Sequence, residues 1–289
     1  MIIDCHTHLW QKQCGRVNNT DVYSVGDGIS IFDGEKRQMM PPFMTDGVNS
    51  AERLIANMNY AGVSGAVITQ EQIDGNQDEY LKSVKKKYQN RLKICSLYEE
   101  NKACSLDEFD GVKLCAGRFK EQNLLKHFDV FKKANDNNMF ISIDLSDGDT
   151  QTKELGEIAD ELPKLKIAIG HFGMVTRQNW KEQIKLARRK NIYIESGGIT
   201  WLFNSEFYPY LGALKAINEA ADICSFDKLM WGSDYPRTMV EITYKMSFDF
   251  IIKSNEISEE NKEKMLYKNA VNFYGFNNLS EQSIIKNML

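Results

Sequence analysis

One unit recurs eight times along this chain: a short β-branched run followed by a helix-length amphipathic stretch. The runs are residues 2–6, 62–69, 92–97, 111–115, 139–145, 166–170, 191–196 and 228–233. Most are nearly continuous apolar segments, which suits parallel strands covered on both faces. Helical patterns fall between them. Asn49 and Ser50 open one that runs to Ala61, with Leu54, Ile55 and Met58 on one face and Gly62 as terminator. Residues 78–88, 123–135, 152–162, 179–189, 210–221 and 258–274 read the same way. Only residues 101–108, between the third and fourth runs, support no more than a short helix or a loop. Eight such units without a composition break predict an α/β fold, one (β/α)8 TIM barrel domain over residues 1–289. No GxGxxG or GxxxxGK[ST] step follows a strand, so nothing favours a phosphate-binding doubly wound sheet. Residues 9–47 lack periodicity and contain Pro41-Pro42, so they read as a loop or lid over the active face.

Composition excludes several function classes. Hydrophobic residues make up 42% and charged residues 26%, an ordinary globular mixture. Lys+Arg is 36 against Asp+Glu 40, a net charge of −4, so no nucleic-acid or anionic-lipid partner is expected. No apolar run approaches the ~18–20 residues of a membrane span. The opening Met1-Ile2-Ile3-Asp4-Cys5-His6 has no secretory pattern. Cys5, Cys14, Cys95, Cys104, Cys115 and Cys224 form no CxxC pair, and reduced thiols in a cytoplasmic protein are expected. Lys85-Lys86-Lys87 reads as a solvated helix face. Tyr208 and Tyr210 are read as exposed aromatics available to a homo-oligomer interface.

In a barrel the chemistry comes from the C-terminal ends of the strands. There are four histidines. His6, His8 and His171 stand at such ends; His127 sits in a helical stretch and reads as a surface or packing residue. His6 and His8 are two apart on one strand, so they share a face, the barrel interior. With His171 and Asp234 approaching from other strands, they make a plausible sphere for one divalent zinc, manganese or iron ion. Asp234 also sits in good turn chemistry, Ser233-Asp234-Tyr235-Pro236. Asp144 and Glu195 are further strand-end carboxylates, Glu195 being equally readable as a solvated end. Lys113 inside an apolar strand must meet a carboxylate or a substrate anion, because an unpaired buried charge is costly. Arg37, Met39 and Met40 are candidates for the substrate side of the lid.

The set Asp4-Cys5-His6-Thr7-His8, Ile169-Gly170-His171-Phe172-Gly173, Trp231-Gly232-Ser233-Asp234-Tyr235-Pro236 and Asn269-Ala270 resembles the amidohydrolase superfamily, in particular its amidohydrolase 2 branch. Each motif is short, but the ordered set spans almost the whole chain. The resemblance implies His6 and His8 as metal ligands, His171 as a histidine beside metal or substrate, and Asp234 as ligand or general base. The branch holds metal-dependent hydrolases, lactonases and non-oxidative decarboxylases. No histidine ends the fifth run, where Asp144 stands nearest; this is similar to the 2-pyrone-4,6-dicarboxylate lactonase group, in which hydrolysis can proceed without a metal. The leading expectation is hydrolysis of a lactone, ester or amide of a small carboxylated substrate. Asp234 would activate water, His171 and the His6/His8 pair would polarise the carbonyl, and Lys113 or Arg37 would hold a carboxylate. Decarboxylation of an aromatic or muconate-type acid on the same metal site is the alternative; an inactive barrel that binds a ligand is the remote one.

Overall fold

The computed structural model describes residues 1–102, 106–283 and 285. Cys104 and the middle of the 101–108 stretch lie outside the described residues. In chain order the strands are β1 (Ile3–Thr7), β2 (Gly15–Val17), β3 (Thr20–Gly26), β4 (Ile29–Phe32), β5 (Glu35–Gln38), β6 (Gly65–Ile68), β7 (Leu92–Leu97), β8 (Gly111–Leu114), β9 (Phe140–Ile143), β10 (Ile167–Ile169), β11 (Ile192–Glu195) and β12 (Leu229–Met230). The order β1-β6-β7-β8-β9-β10-β11-β12 makes an eight-stranded parallel sheet. Backbone hydrogen bonds then join its two ends: Cys5 N–H to Trp231 O, Asp234 N–H to His6 O and His8 N–H to Tyr235 O, each at 2.9 Å. The barrel predicted from periodicity is therefore present, and all eight strands lie within the predicted runs or one residue beyond them.

Alternation sorts the strand residues into two layers. Ile141, Ile143, Ile167, Ile169, Ile192 and Ile194 belong to the cluster packed under the helices. Cys5, Val67, Cys95, Phe140, Ala168 and Met230 form the inner cluster, with Phe273 and Tyr274 of the last helix packed into it. This leaves Lys113, Asp144, Gly170, Glu195 and Gly232 on the inner face nearer the strand ends.

The helices are α1 (Ala51–Ala61), α2 (Asp78–Tyr88), α3 (Phe128–Asp136), α4 (Thr152–Glu161), α5 (Trp180–Leu186), α6 (Ile199–Leu202), α7 (Leu211–Cys224), α8 (Met246–Ile252), α9 (Glu259–Glu263) and α10 (Asn269–Tyr274), the last two joined by a π turn over Lys264–Lys268. Helix α1 buries Leu54 and Met58 and ends at Gly62, whose φ of 77° suits glycine. The expected capping pair behaves differently: Ser50 makes no side-chain cap bond, and the Asn49 amide donates instead to His8 O at 2.6 Å.

Two expectations are corrected. Residues 9–47 are not a loop: β2-β3-β4-β5 form a four-stranded antiparallel sheet. Its strands are short, and β3 alternates only loosely between buried and exposed positions, so no period-2 signal stands out. Tyr210 is buried and packs on Phe250, leaving Tyr208 as the more exposed ring of that pair. His127 is also buried, between Tyr98 OH at 3.0 Å and Glu121 O at 2.8 Å, which is a packing role. Among the described residues five cysteines are unpaired, and no helix is long and apolar enough to cross a membrane.

Candidate active site

Strict alternation along β1 would put His6 on the outer face, because Cys5 lies in the inner cluster. Asp4 does face outward, its Oδ2 accepting from Tyr244 OH at 2.7 Å. The pairing of β1 with β6 shifts register between Asp4 and Thr7. Such an irregularity re-aims the following side chains, and His6 turns inward to Glu195. Asp4 also accepts from His6 N–H at 3.1 Å and Ser233 N–H at 2.8 Å, so it ties β1 to the segment after β12.

Around this point three imidazoles converge. The His6 ring centroid lies 4.9 Å from that of His8 and 4.6 Å from that of His171. Nδ1 of His6 meets Glu195 Oε1 at 2.6 Å, and Glu195 Oε2 accepts from Gly197 N–H at 2.6 Å. Nε2 of His8 meets Asp234 Oδ1 at 2.8 Å, while Trp201 Nε1–H donates to Asp234 Oδ2 at 2.7 Å. His171 Nδ1 donates to Gly197 O at 2.9 Å. The backbone is strained at two of these positions, with φ of 51° at His171 and 61° at Asp234. Close approach also demands glycine: a Cβ on Gly170 would stand 2.1 Å from Asp144 Oδ1 and 2.8 Å from Glu195 Oε1.

Burial and neighbouring charge divide the site electrostatically. Burial and Arg237 push His8 down to about 3, so its imidazole is neutral. Burial works against ionising Asp234, but the His8 hydrogen bond, Arg237 and His171 hold its carboxyl well below the usual carboxylate range. Burial likewise opposes a charge on His171, yet Asp144 draws it up to about 10. Asp144 is itself held low by Lys113 and His171 against its burial. A neutral imidazole beside an ionised carboxylate thus faces a separate cationic cluster.

Above the floor opens a cavity of about 740 Å³, a size that holds a small ligand. Asp144, His171, Trp201 and Asp234 line it, together with Phe32, Arg37 and Met39 from the antiparallel sheet. Of the residues singled out by sequence, His6, His8, His171, Asp144, Glu195 and Asp234 are brought together. Glu195 is fully buried behind His6 and does not end in solvent. Lys113 is also fully buried, its Nζ 2.6 Å from Asp144 Oδ2, so its charge is matched within the protein. Arg37 reaches the cavity from the rim, stacked on Phe32 at 4.6 Å.

Arg118, Arg237 and Trp201 also line the cavity and are not among the residues singled out by sequence. Arg118 pairs with Glu71 at 3.4 Å, and Arg237 Nη2 donates to both oxygens of Asp74 at 2.8 and 2.7 Å. Arg237 follows Ser233-Asp234-Tyr235-Pro236 directly, and Arg118 lies just beyond β8, so strand-end position was a usable signal. Trp201 carried none.

His6, His8 and Asp234 form a possible metal-binding site, their candidate ligand atoms lying within 4.8 Å of one another. The residues fit such an ion in donor type, two imidazoles and a carboxylate: Nε2 of His6 is buried without a hydrogen-bond partner while Glu195 holds its far nitrogen, Nδ1.

Comparison with known proteins agrees with this fold. A search of curated proteins returned no match. Among solved structures, a probable 2-pyrone-4,6-dicarboxylic acid hydrolase from Acinetobacter baumannii with citric acid bound is 17% identical, with TM-score 0.68 over 95% of this chain and 99% of that one. An amidohydrolase from Burkholderia multivorans with bound zinc is 12% identical, with TM-score 0.68 and the same coverage of 95% and 99%. The 5-carboxyvanillate decarboxylase of Novosphingobium aromaticivorans, complexed with manganese and 4-hydroxy-3-methoxy-5-nitrobenzoic acid, is 15% identical, with TM-score 0.54 over 79% and 81%. At these identities the likeness is one of fold. The family profile described as amidohydrolase matches residues 3–276, nearly the whole chain, and the protein belongs to the amidohydrolase 2 family.

Proposed function

We propose that this protein hydrolyses a lactone or related ester of a small carboxylated substrate, with Asp234 as general base. One observation carries the reading. Asp234 is an ionised carboxylate with both oxygens held, at the floor of a cavity whose walls include Arg37, Arg118 and Arg237. Asp234 takes a proton from water as that water attacks the ester carbonyl. The imidazolium of His171 presents positive charge beside the cavity, where it polarises a carbonyl and stabilises the oxyanion that forms. The arginines attract the substrate's carboxylate and orient the ester over the base. His6, His8 and Asp234 would hold a divalent ion, zinc or manganese, which supplies Lewis-acid polarisation when bound. The antiparallel sheet serves as the lid, contributing Phe32, Arg37 and Met39. The unpaired cysteines suit a reducing cytoplasm.

The test is turnover of 2-pyrone-4,6-dicarboxylate, followed as ring absorbance and proton release, with Asp234→Asn alongside. A loss of about 10³-fold in kcat with an unchanged melt is expected; near-wild-type kcat in the variant would sink the assignment. Elemental analysis of protein purified without chelator should find about one zinc or manganese per chain. A second reading, metal-dependent decarboxylation of an aromatic or muconate-type acid, is favoured by the His6–His8–Asp234 cluster. Release of carbon dioxide from such acids, with none of the lactones opened, would replace the first reading by the second.

A further inference from the structure

We propose that Trp201 is a positioning residue for Asp234, fixing the carboxylate in the one orientation that leaves a lone pair toward the cavity. The inference rests on the reading of Asp234 as the base. A carboxylate on a strand-end turn rotates about its terminal torsion unless both oxygens are held, because that torsion is broad. Here His8 takes Oδ1 and Trp201 takes Oδ2. Each oxygen keeps a second lone pair for a water proton.

The choice of an indole has physical reasons. Its Nε1–H donates and cannot accept, so the proton removed from water is not passed on to Trp201. The rest of the ring is apolar. It lines the same cavity, with its centroid 6.0 Å from that of His171, and so limits bulk water around the ionised group. The local backbone is built to bring the ring there. Gly198, whose φ is 68°, immediately precedes helix α6, and a Cβ on it would stand 1.8 Å from Trp201 Nε1. Glycine is required for the indole to fold back over its own helix start and reach Asp234. The strained φ of Asp234 points the same way, since the aspartate is held where its neighbours need it.

Two measurements test this. The first is steady-state kinetics on 2-pyrone-4,6-dicarboxylate with Trp201→Phe, which keeps an aromatic wall and removes the donor, and Trp201→His, which restores a ring N–H. Positioning predicts a fall in kcat of about 10–100-fold for Trp201→Phe with KM within about threefold, and partial recovery of kcat in Trp201→His. Unchanged kcat, or a rise in KM alone, overturns the proposal and leaves Trp201 a wall residue. The second needs neither turnover nor a variant at Trp201. The four tryptophans give four indole N–H signals in a nitrogen–proton NMR spectrum. Asp234→Asn should move one of them upfield while the melt stays unchanged, because a charge-assisted acceptor is lost. If none moves, the bond is not made in solution and the proposal falls. If one moves but wild-type protein opens no lactone, the positioning of Asp234 stands and the hydrolase reading is what fails.

Discussion

The floor and the rim of the cavity are built in different ways. The floor comes from the ends of β1, β9, β10, β11 and β12. Its side chains are buried or mostly so, and the deepest are fixed from two directions, as Glu195 is by His6 and Gly197. The rim comes from β2–β5, where Arg37 is 46% exposed and its ion pair with Glu35 is a loose 3.5 Å. Rim packing is a small cluster of Val17, Val22 and Ile73, with Phe32 and Met39 against it. A seam joins the two: Asp74 accepts from Arg237 beside the floor and from Gln13 before β2, and Gln13 in turn accepts from Ser30 Oγ of β4 at 2.6 Å. The contrast teaches where tolerance lies. The groups proposed to move protons are set by the ends of parallel strands, whereas those proposed to meet the substrate's periphery sit on a more exposed sheet.

Substitutions on each side should separate accordingly. The largest effect is expected for Gly170→Ala, because the added Cβ collides with Asp144 Oδ1 and Glu195 Oε1, and moving either breaks its contact with Lys113 or His6. A loss of about 3 kcal/mol or more is expected, read as a lowered thermal midpoint. A midpoint equal to wild type would show that the floor has slack after all. Glu195→Gln keeps the shape but removes the charge facing His6. We expect kcat or metal content to fall about 10–100-fold with the fold retained; full activity and full metal occupancy together would remove Glu195 from the site. Arg37→Ala should be mildest, raising KM by about two- to fivefold with kcat unchanged, as for an exposed charge. If Arg37→Ala instead costs as much as Glu195→Gln, the rim is as exacting as the floor and the comparison breaks.

How much of this was legible beforehand depended on the range of the interaction. The runs at 92–97 and 139–145 were readable as strands because continuous apolar residues mark a segment covered on both faces. The His6-Thr7-His8 step was readable because period-2 geometry puts i and i+2 together. Residues 9–47 were not, since their strands are held by pairing with one another and by Ile73, with little local pattern. Lys113 was half legible: its burial was evident, but the choice between substrate and Asp144 as its counter-charge needed the neighbouring strand. Arg118, Arg237 and Trp201 sit past the strand ends, where short turns and α6 set direction and no periodicity applies.

The sequence by itself determined the eightfold βα architecture, the shared face of His6 and His8, and the strand-end places of Glu195, His171 and Asp234. These follow from steric rules that act within a few residues. Only the tertiary structure decided which face His6 and His8 present, because the register shift between Asp4 and Thr7 exists only once β1 pairs with β6. It also decided the charge of each group. His8 is neutral, whereas His171 is cationic, because each imidazole takes its protonation from its burial and from charges on distant parts of the chain.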